Sequence, residues 1–145
     1  DSIIQTDDCD SFTDDLIKAF EQHSKSVVGV QEVERSQISR YGIFEGSELT
    51  PRVFKASRLI EKPEQADTGS NLAFCARYVF QPEIFRILHA TAPGKNNEIQ
   101  LTDAMQMLAE LEGMNGLQLQ GERYDIGDAK GLLYANLSLT EFGCA

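Results

Sequence analysis

The sequence predicts an α/β fold with a mixed sheet and flanking helices. Short apolar runs that suit buried strands alternate along the chain with longer segments in which apolar residues recur at helical spacing. Such alternation is typical of α/β folds. The 145 residues are 41% hydrophobic and 25% charged, an ordinary composition for a globular domain that forms its core without disulfides. We therefore expect residues 1–145 to form a single domain.

A helix is predicted near the start of the chain. Thr13 is the expected N-cap, and Asp14 and Asp15 would occupy the first turn, where the helix dipole favours carboxylates. The predicted buried stripe of this helix consists of Leu16, Ile17 and Phe20.

Strands dominate the next part of the chain. A turn-rich connection over residues 45–51 is expected to join the second and third strands, and a loop over residues 63–70 precedes the fourth. The four predicted strands are Val27–Val30, Tyr41–Phe44, Val53–Ile60 and Leu72–Phe80.

Two helices with apolar stripes follow. Pro82 suits the first turn of one helix, and Gly113 is expected to end the other. The stripe residues are Ile84, Phe85, Ile87 and Leu88 in the first helix, and Leu101, Ala104, Met105, Leu108 and Leu111 in the second.

The last segment predicts a strand and a helix. Leu117 and Leu119 alternate as in a strand, and Asp128 is the expected N-cap of the final helix. The stripe of that helix is Leu132, Ala135, Leu139 and Phe142.

Charge and cysteine content narrow the classes of partner. With 13 Lys and Arg against 23 Asp and Glu, the net charge is −10, so we expect neither nucleic acid nor an anionic membrane as partner. The sequence has no apolar run of 18 residues and no recognisable signal peptide. Cys9, Cys75 and Cys144 are odd in number and form no CxxC, which favours reduced thiols and a cytoplasmic location. Cys75 lies in an apolar run and is predicted to be a buried, inert thiol.

Five segments together resemble a known family. They are Arg40–Ile43, Ile60–Pro63, Ser70–Ala73 with Arg77–Val79, Glu98–Ala104 and Arg123–Asp128. Their order and spacing are similar to those of the bacterial UTP–glucose-1-phosphate uridylyltransferases, which are sugar-nucleotide pyrophosphorylases. The resemblance implies a partial nucleotide-diphospho-sugar transferase fold, which is Rossmann-like.

The resemblance also implies which part of such an enzyme the chain represents. The family's opening strand, its Gly-rich phosphate loop and its uracil-binding residues have no counterpart in this sequence. We therefore expect a C-terminal, sugar-phosphate-binding portion that binds UTP only together with an N-terminal nucleotide-binding half and is inactive alone. A sheet without its neighbouring strands would leave an unpaired edge and an uncovered apolar face, so we also expect self-association, most simply as a homo-oligomer.

The family's reaction implies a magnesium site. In that reaction an oxygen of glucose 1-phosphate attacks the α-phosphorus of UTP, which gives UDP-glucose and pyrophosphate. Both reactants are anionic, and Mg²⁺ binds carboxylate and phosphate oxygens. By the resemblance, Asp1 and Asp125 hold the metal and, with Lys62, are the catalytic residues. The alternative for Asp125 is a turn-forming aspartate before Gly127.

The resemblance further implies a sugar-phosphate site. Glu61 would accept hydrogen bonds from glucose hydroxyls and Lys62 would contact the phosphate; the alternative is a surface ion pair at a strand end. Gly42 would let the sugar ring approach the backbone, or would mark a strand bulge. Phe74 would offer main-chain groups and Tyr78 a hydroxyl or an aromatic wall, although both suit a core.

Two further segments are interpreted through the resemblance. Ala76 stands where glycine is usual in the family, which bears on close packing at that point. Residues 98–103 form a helix entry that braces the site or a subunit contact.

Two other functions stay open, namely a thymidylyl-type nucleotidyltransferase and a non-catalytic sugar-phosphate-binding or assembly domain.

Overall fold

The computed structural model describes residues 2–6, 11–94 and 97–139. Several predictions concern residues outside these ranges and are not tested by the structure: the positions of Asp1, Cys9, Phe142 and Cys144. The elements, in chain order, are β1 (Ser2–Thr6), α1 (Phe12–His23), β2 (Ser26–Glu32), a 3₁₀ helix (Arg35–Arg40), β3 (Gly42–Thr50), β4 (Val53–Glu61), β5 (Leu72–Val79), α2 (Glu83–Ala90), α3 (Leu101–Glu112), β6 (Met114–Gln118), β7 (Gly121–Asp125) and α4 (Ala129–Leu139).

The main sheet is mixed and closes on itself. Its hydrogen-bonded order is β2-β5-β3-β4-β6, and β6 pairs with β2 to complete a ring. The β2–β6 pairing is parallel and the other pairings are antiparallel. The predicted mixed α/β fold is confirmed. The expectation of an open edge is wrong for this sheet as far as the structure describes it, because closure pairs each of its five strands on both sides.

Helices cover this ring on two sides. Helices α2 and α3 pack over one cluster of buried residues that includes Phe44, Met105 and Leu108. Helix α1 packs over a second cluster that includes Leu16 and Val27. One cluster lies beneath α2 and α3 and the other beneath α1, and the strands contribute buried residues to both. This explains why the short strands appear as continuous apolar runs in the sequence.

A second, two-stranded sheet was not predicted. Strand β1 pairs with β7 in antiparallel register, from Ser2 opposite Asp125 to Thr6 opposite Gly121. The Arg77 guanidinium on β5 donates to the Ser2 carbonyl at 3.1 Å, which ties this small sheet to the ring. The pairing brings the beginning of the described chain to Asp125, which the family resemblance assigned to metal binding.

Two predictions about local structure were wrong, namely the N-cap of α1 and the connection over residues 45–51. Ser11, not Thr13, is the N-cap of α1, and it forms a capping box in which its hydroxyl accepts from the Asp14 amide at 3.2 Å while the Asp14 carboxylate accepts from the Ser11 amide at 3.3 Å. The segment predicted as a connection over residues 45–51 is strand up to Thr50, and the chain reverses at Pro51 and Arg52. Glycine, serine and glutamate in this segment looked turn-like, but pairing with β4 keeps it extended.

The buried stripes of the helices are narrower than predicted. Each helix exposes one residue that was assigned to its stripe: Ile17, Phe85, Leu111 and Leu132. Phe85 is the extreme case at 74% exposure. Periodicity places such residues at the border of an apolar face, where the neighbouring elements do not cover them. On α4, four large apolar residues are exposed, namely Leu132, Leu133, Tyr134 and Leu137. The uncovered apolar face of the sheet, self-association and a cytoplasmic location stay predictions.

Within the described ranges, no helix combines the length and apolar character needed to cross a bilayer.

Replacing the N-cap of α1 tests the corrected helix start. Ser11→Ala should lower the free energy of unfolding by about 1 kcal/mol, because the amide of Asp14 loses its acceptor. Thr13→Ala is the matched control and should change it by less than about 0.5 kcal/mol, since Thr13 is exposed. Urea unfolding measures both; an equal loss in the two variants would contradict the assignment.

The buried thiol gives a second prediction. Cys75 is fully buried and, because burial disfavours the thiolate, its pKa rises from 9.0 to about 12, against the smaller effect of the Arg123 and Arg77 charges. Cys75 should therefore resist iodoacetamide at pH 8 in the folded protein and react once urea unfolds the chain. Peptide mass spectrometry reads out this cysteine separately, and rapid native alkylation of Cys75 would contradict the buried placement.

Candidate functional site

A cavity of about 410 Å³ lies where the ends of β3, β4 and β5 meet the N-terminus of α3 and the small β1–β7 sheet. Backbone and side chains from all of these elements line it. The lining residues are Ser2, Arg40, Tyr41, Gly42, Glu61, Lys62, Phe74, Ala76, Tyr78, Gln100, Leu101, Thr102, Arg123 and Asp125.

Gly42 lines the cavity at the start of β3. It pairs directly with Glu61 in the β3–β4 ladder, and the ladder's irregularities fall further along, after Glu45 and after Glu48. The bulge that was the alternative explanation for Gly42 is therefore absent at this position. A Cβ on Gly42 would stand 2.4 Å from the Phe74 ring and 3.2 Å from Glu61 Oε2. Glycine suits this position because a Cβ would collide with the Phe74 ring and crowd the Glu61 carboxylate.

Glu61 and Lys62 lie at the end of β4 and face the cavity together. Glu61 Oε1 is 3.8 Å from Lys62 Nζ. Adjacent residues of a regular strand point to opposite faces, but Lys62 leaves the strand with φ +44, and its amide donates to the Tyr41 carbonyl at 3.1 Å. This turn brings the ammonium to the carboxylate's side. The predicted pair is thus both an ion pair at a strand end and part of the cavity wall.

A distortion in β5 shapes the opposite wall. Val28 of β2 pairs with Tyr78, whereas Val30 pairs with Phe74, so β5 carries extra residues between the two pairs. Ala76 lies within this bulge at φ +55, in the left-handed region that favours glycine. Glycine at this position would adopt the same backbone without the steric cost that the Ala76 methyl group carries.

Phe74 and Tyr78 belong to the cavity and to the core at once. Phe74 is buried in the cluster beneath α2 and α3, and Tyr78 packs against that cluster and stacks on Phe80 with ring centres 5.3 Å apart. Burial, followed by the negative charge of Glu61, raises the pKa of the Tyr78 hydroxyl above 10.0. The hydroxyl therefore stays protonated at neutral pH and is able to donate or accept a hydrogen bond.

Asp125 lies at the end of β7 with its carboxylate held on two sides. The Tyr41 hydroxyl donates to Oδ2 and the Gly127 amide donates to Oδ1, each at 3.1 Å. Partial burial alone would raise the pKa of this carboxyl, but these two hydrogen bonds, with the charges of Arg123 and Arg40, outweigh it and hold the pKa below 3.8. Asp125 is thus ionised at neutral pH. The bond from the Gly127 amide is the contact expected of a turn-forming aspartate, which was the alternative interpretation of Asp125. Asp125 forms this turn and also lines the cavity.

Cations gather around this end of the cavity although the chain as a whole is acidic. Arg123 stacks on the Tyr41 ring at 4.5 Å, and Arg40 lies over the same ring at 5.7 Å. With Lys62, they give the described wall three positive side chains against the carboxylates of Glu61 and Asp125. The local balance suits an anionic ligand.

The cavity brings together six of the seven residues that the sequence nominated: Gly42, Glu61, Lys62, Phe74, Tyr78 and Asp125. Asp1, the seventh, lies outside the described residues, while Ser2 lines the cavity. Among the residues that the structure describes, no three His, Cys, Asp or Glu side chains form a metal-binding group.

Several lining residues received no individual role from the sequence, among them Tyr41, Thr102 and Arg123. Tyr41 and Arg123 lie inside segments that carried the family resemblance, and Thr102 lies in the helix entry assigned a bracing role. The signal that would have found Tyr41 is its position one residue before Gly42, where β3 begins at the site.

Comparisons with known proteins identify the family of the chain. Residues 1–141 match the protein family described as nucleotidyl transferase. UTP–glucose-1-phosphate uridylyltransferase 2 of Staphylococcus saprophyticus is 41% identical over 118 residues, which cover 81% of this chain and 41% of that protein. UTP–glucose-1-phosphate uridylyltransferase of Bacillus subtilis is 38% identical over 122 residues, which cover 84% of this chain and 42% of that protein.

The fold agrees as well. A crystal structure of UDP-glucose pyrophosphorylase complexed with UDP-glucose superposes with a TM-score of 0.91 at 35% identity, covering 97% of this chain and 53% of that one. The chain thus spans about half the length of the proteins that it matches. The match over residues 1–141, together with the superposed fold, shows that the chain belongs to the nucleotidyl transferase family.

Proposed function

We propose that this chain forms the sugar-1-phosphate-binding part of a UTP–glucose-1-phosphate uridylyltransferase. The observation that carries the proposal is the joint placement of Glu61, Lys62 and Gly42 in one cavity with Asp125. The relatives named as uridylyltransferases support the choice of glucose 1-phosphate and UTP as substrates. We propose that the UTP-binding contacts come from the half of those proteins that this chain does not cover.

The cavity wall offers complementary groups to a sugar phosphate. The Glu61 carboxylate accepts hydrogen bonds from neighbouring hydroxyls of the glucose ring, and the Lys62 ammonium binds the phosphate. Gly42 lets the ring lie close to the backbone, because a side chain there would fill the space beside Phe74 and Glu61. Tyr78 borders the same space with a neutral hydroxyl.

The chemistry of the donors also fits Mg²⁺. Mg²⁺ keeps several waters and is commonly bound by one or two carboxylates together with substrate phosphates. Asp125 supplies an ionised carboxylate whose two oxygens each retain a free lone pair beside their hydrogen bonds. We propose that Asp125 and Asp1 hold the metal; Ser2, which follows Asp1 in the sequence, pairs with Asp125. When bound, Mg²⁺ would neutralise phosphate charge.

Positioning and charge are what the protein supplies to such a reaction, since no nucleophilic side chain is needed. Two like unit charges about 4 Å apart repel by about 4 kcal/mol at an effective dielectric constant of 20. Lys62, Arg40 and Arg123 reduce this repulsion where the sugar phosphate meets the nucleotide. The Tyr41 bond holds the Asp125 carboxylate in place as the phosphates approach.

Calorimetric titration with glucose 1-phosphate tests the proposed function. The 145-residue chain should bind it weakly and form no UDP-glucose from UTP, and Lys62→Met should weaken binding about tenfold because the phosphate loses its cation. Lys55→Met is the matched control, since Lys55 is an exposed lysine at the other end of β4, and it should leave binding unchanged. Equal binding of glucose 1-phosphate by wild type and Lys62→Met would contradict the proposal.

The metal proposal has a separate test. Mg²⁺ should tighten glucose 1-phosphate binding in the wild type, and Asp125→Asn should abolish that dependence because the amide carries no charge to hold the metal. Asp128→Asn is the control, since an amide oxygen at this position still accepts from the Gly131 amide that Asp128 caps. A full magnesium response in Asp125→Asn, measured by the same titration, would exclude Asp125 as the ligand.

A further inference from the structure

Glu61 has a partner that comes from a different element. Thr102, in the first turn of α3, donates its hydroxyl to Glu61 Oε2 at 2.6 Å. The threonine is 5% exposed, so the bond is sheltered from water, and a hydrogen bond to a charged acceptor is stronger than one between neutral groups. The helix that presents Thr102 is itself anchored, because Ala104, Met105 and Leu108 are fully buried.

The second neighbour of Glu61 competes for the same carboxylate. Lys62 Nζ stands 3.8 Å from Oε1, longer than a charge-assisted hydrogen bond of about 2.7–2.9 Å. Rotation of the Glu61 side chain would let the carboxylate close on the ammonium. Thr102 opposes that rotation by holding Oε2 beside Gly42, where a Cβ would already be 3.2 Å away.

We propose that Thr102 is a positioning residue that keeps the Glu61 carboxylate from collapsing onto Lys62. With Oε2 fixed by Thr102, Oε1 is presented to a sugar hydroxyl, and the Lys62 ammonium stays available to the phosphate. This inference rests on the proposed function, since it assigns a ligand to Glu61 and Lys62. It also gives the helix entry of α3 a definite part in the site: its threonine sets the orientation of a carboxylate on β4.

The chain contains a well-matched control for this contact. Thr68 donates its hydroxyl to Glu45 Oε1 at 2.5 Å and is 6% exposed. It is a threonine-to-glutamate bond of similar length and burial, and neither residue lines the cavity. Thr68→Val therefore removes the same kind of interaction without touching the site, together with the bond that Thr68 Oγ1 accepts from the Ser70 amide at 3.0 Å.

Titrations of the 145-residue chain with glucose 1-phosphate test the proposal. Thr102→Val should weaken binding about tenfold, the loss expected for one charge-assisted hydrogen bond that orients a binding group. Thr102→Ser should restore affinity to within about twofold, because it retains the hydroxyl, and Thr68→Val should bind as the wild type does. Should Thr102→Val fail to fold, Thr102→Ala gives the same comparison without a second methyl group. Equal losses in Thr102→Val and Thr68→Val would show a general effect of stability and overturn the proposal.

A double-mutant cycle shows whether Thr102 acts through Glu61. In a Glu61→Ala background, adding Thr102→Val should leave the affinity unchanged, because the carboxylate that Thr102 orients is gone. Independent, additive losses would mean that Thr102 acts on the ligand by another route, and the proposal would be wrong.

A ligand-free measurement separates this inference from the proposed function. In a crystal structure of unliganded Thr102→Val, the Glu61 to Lys62 distance should fall below the 3.8 Å of the native pair, whereas Thr68→Val should preserve it. An unmoved carboxylate would overturn the positioning role even if glucose 1-phosphate binds. A wild type that binds no glucose 1-phosphate, with the carboxylate displaced in Thr102→Val, would instead refute the function and leave the positioning role standing.

Discussion

The site depends on the register of three adjacent strands. Gly42 is opposite Glu61 and Ile43 is opposite both Ile60 and Ala73, so β3 carries the alignment from β4 to β5. Side chains alternate between the two faces of a strand, and a slip of one residue would turn Glu61 away from the cavity and Ile60 into it. Burial of Ile43 and Ala73 beneath the 3₁₀ helix fixes that register. The polar wall is thus placed by apolar residues next to it.

Sequence patterns located the helices and most strands because each carries a local signal. The stop at Gly113 and the cap at Asp128 are confirmed by a glycine at φ +80 directly after α3 and by the Gly131 amide bonded to Asp128. Strands β1 and β7 were missed because each has only five residues and mixes polar with apolar side chains, and their pairing joins positions more than a hundred residues apart. Closure of the ring by the β2–β6 pairing was also missed, because nothing in either strand's sequence indicates which strand lies beside it.

The candidate site, like the fold, was predicted only in part from the sequence. Gly42, Glu61 and Lys62 were identified because short segments resembled a family, and the structure brings them into one cavity. The resemblance gave no account of how the groups are held. The bonds from Thr102 to Glu61 and from Tyr41 to Asp125 connect separate elements across 41 and 84 positions. Contacts at such separations depend on tertiary packing, which cannot be predicted from the order of side-chain types along the chain.

The backbone at Lys62 has a consequence for the thermodynamics of recognition. A lysine at φ +44 occupies a sparsely populated conformation, and Pro63, which follows it, has its own φ fixed by the pyrrolidine ring. Two successive residues therefore have little conformational freedom where the chain leaves β4. The folding free energy has already compensated for this ordering, so an arriving anion immobilises the side chain alone. Such preorganisation favours association through a smaller entropic loss, without any added contact.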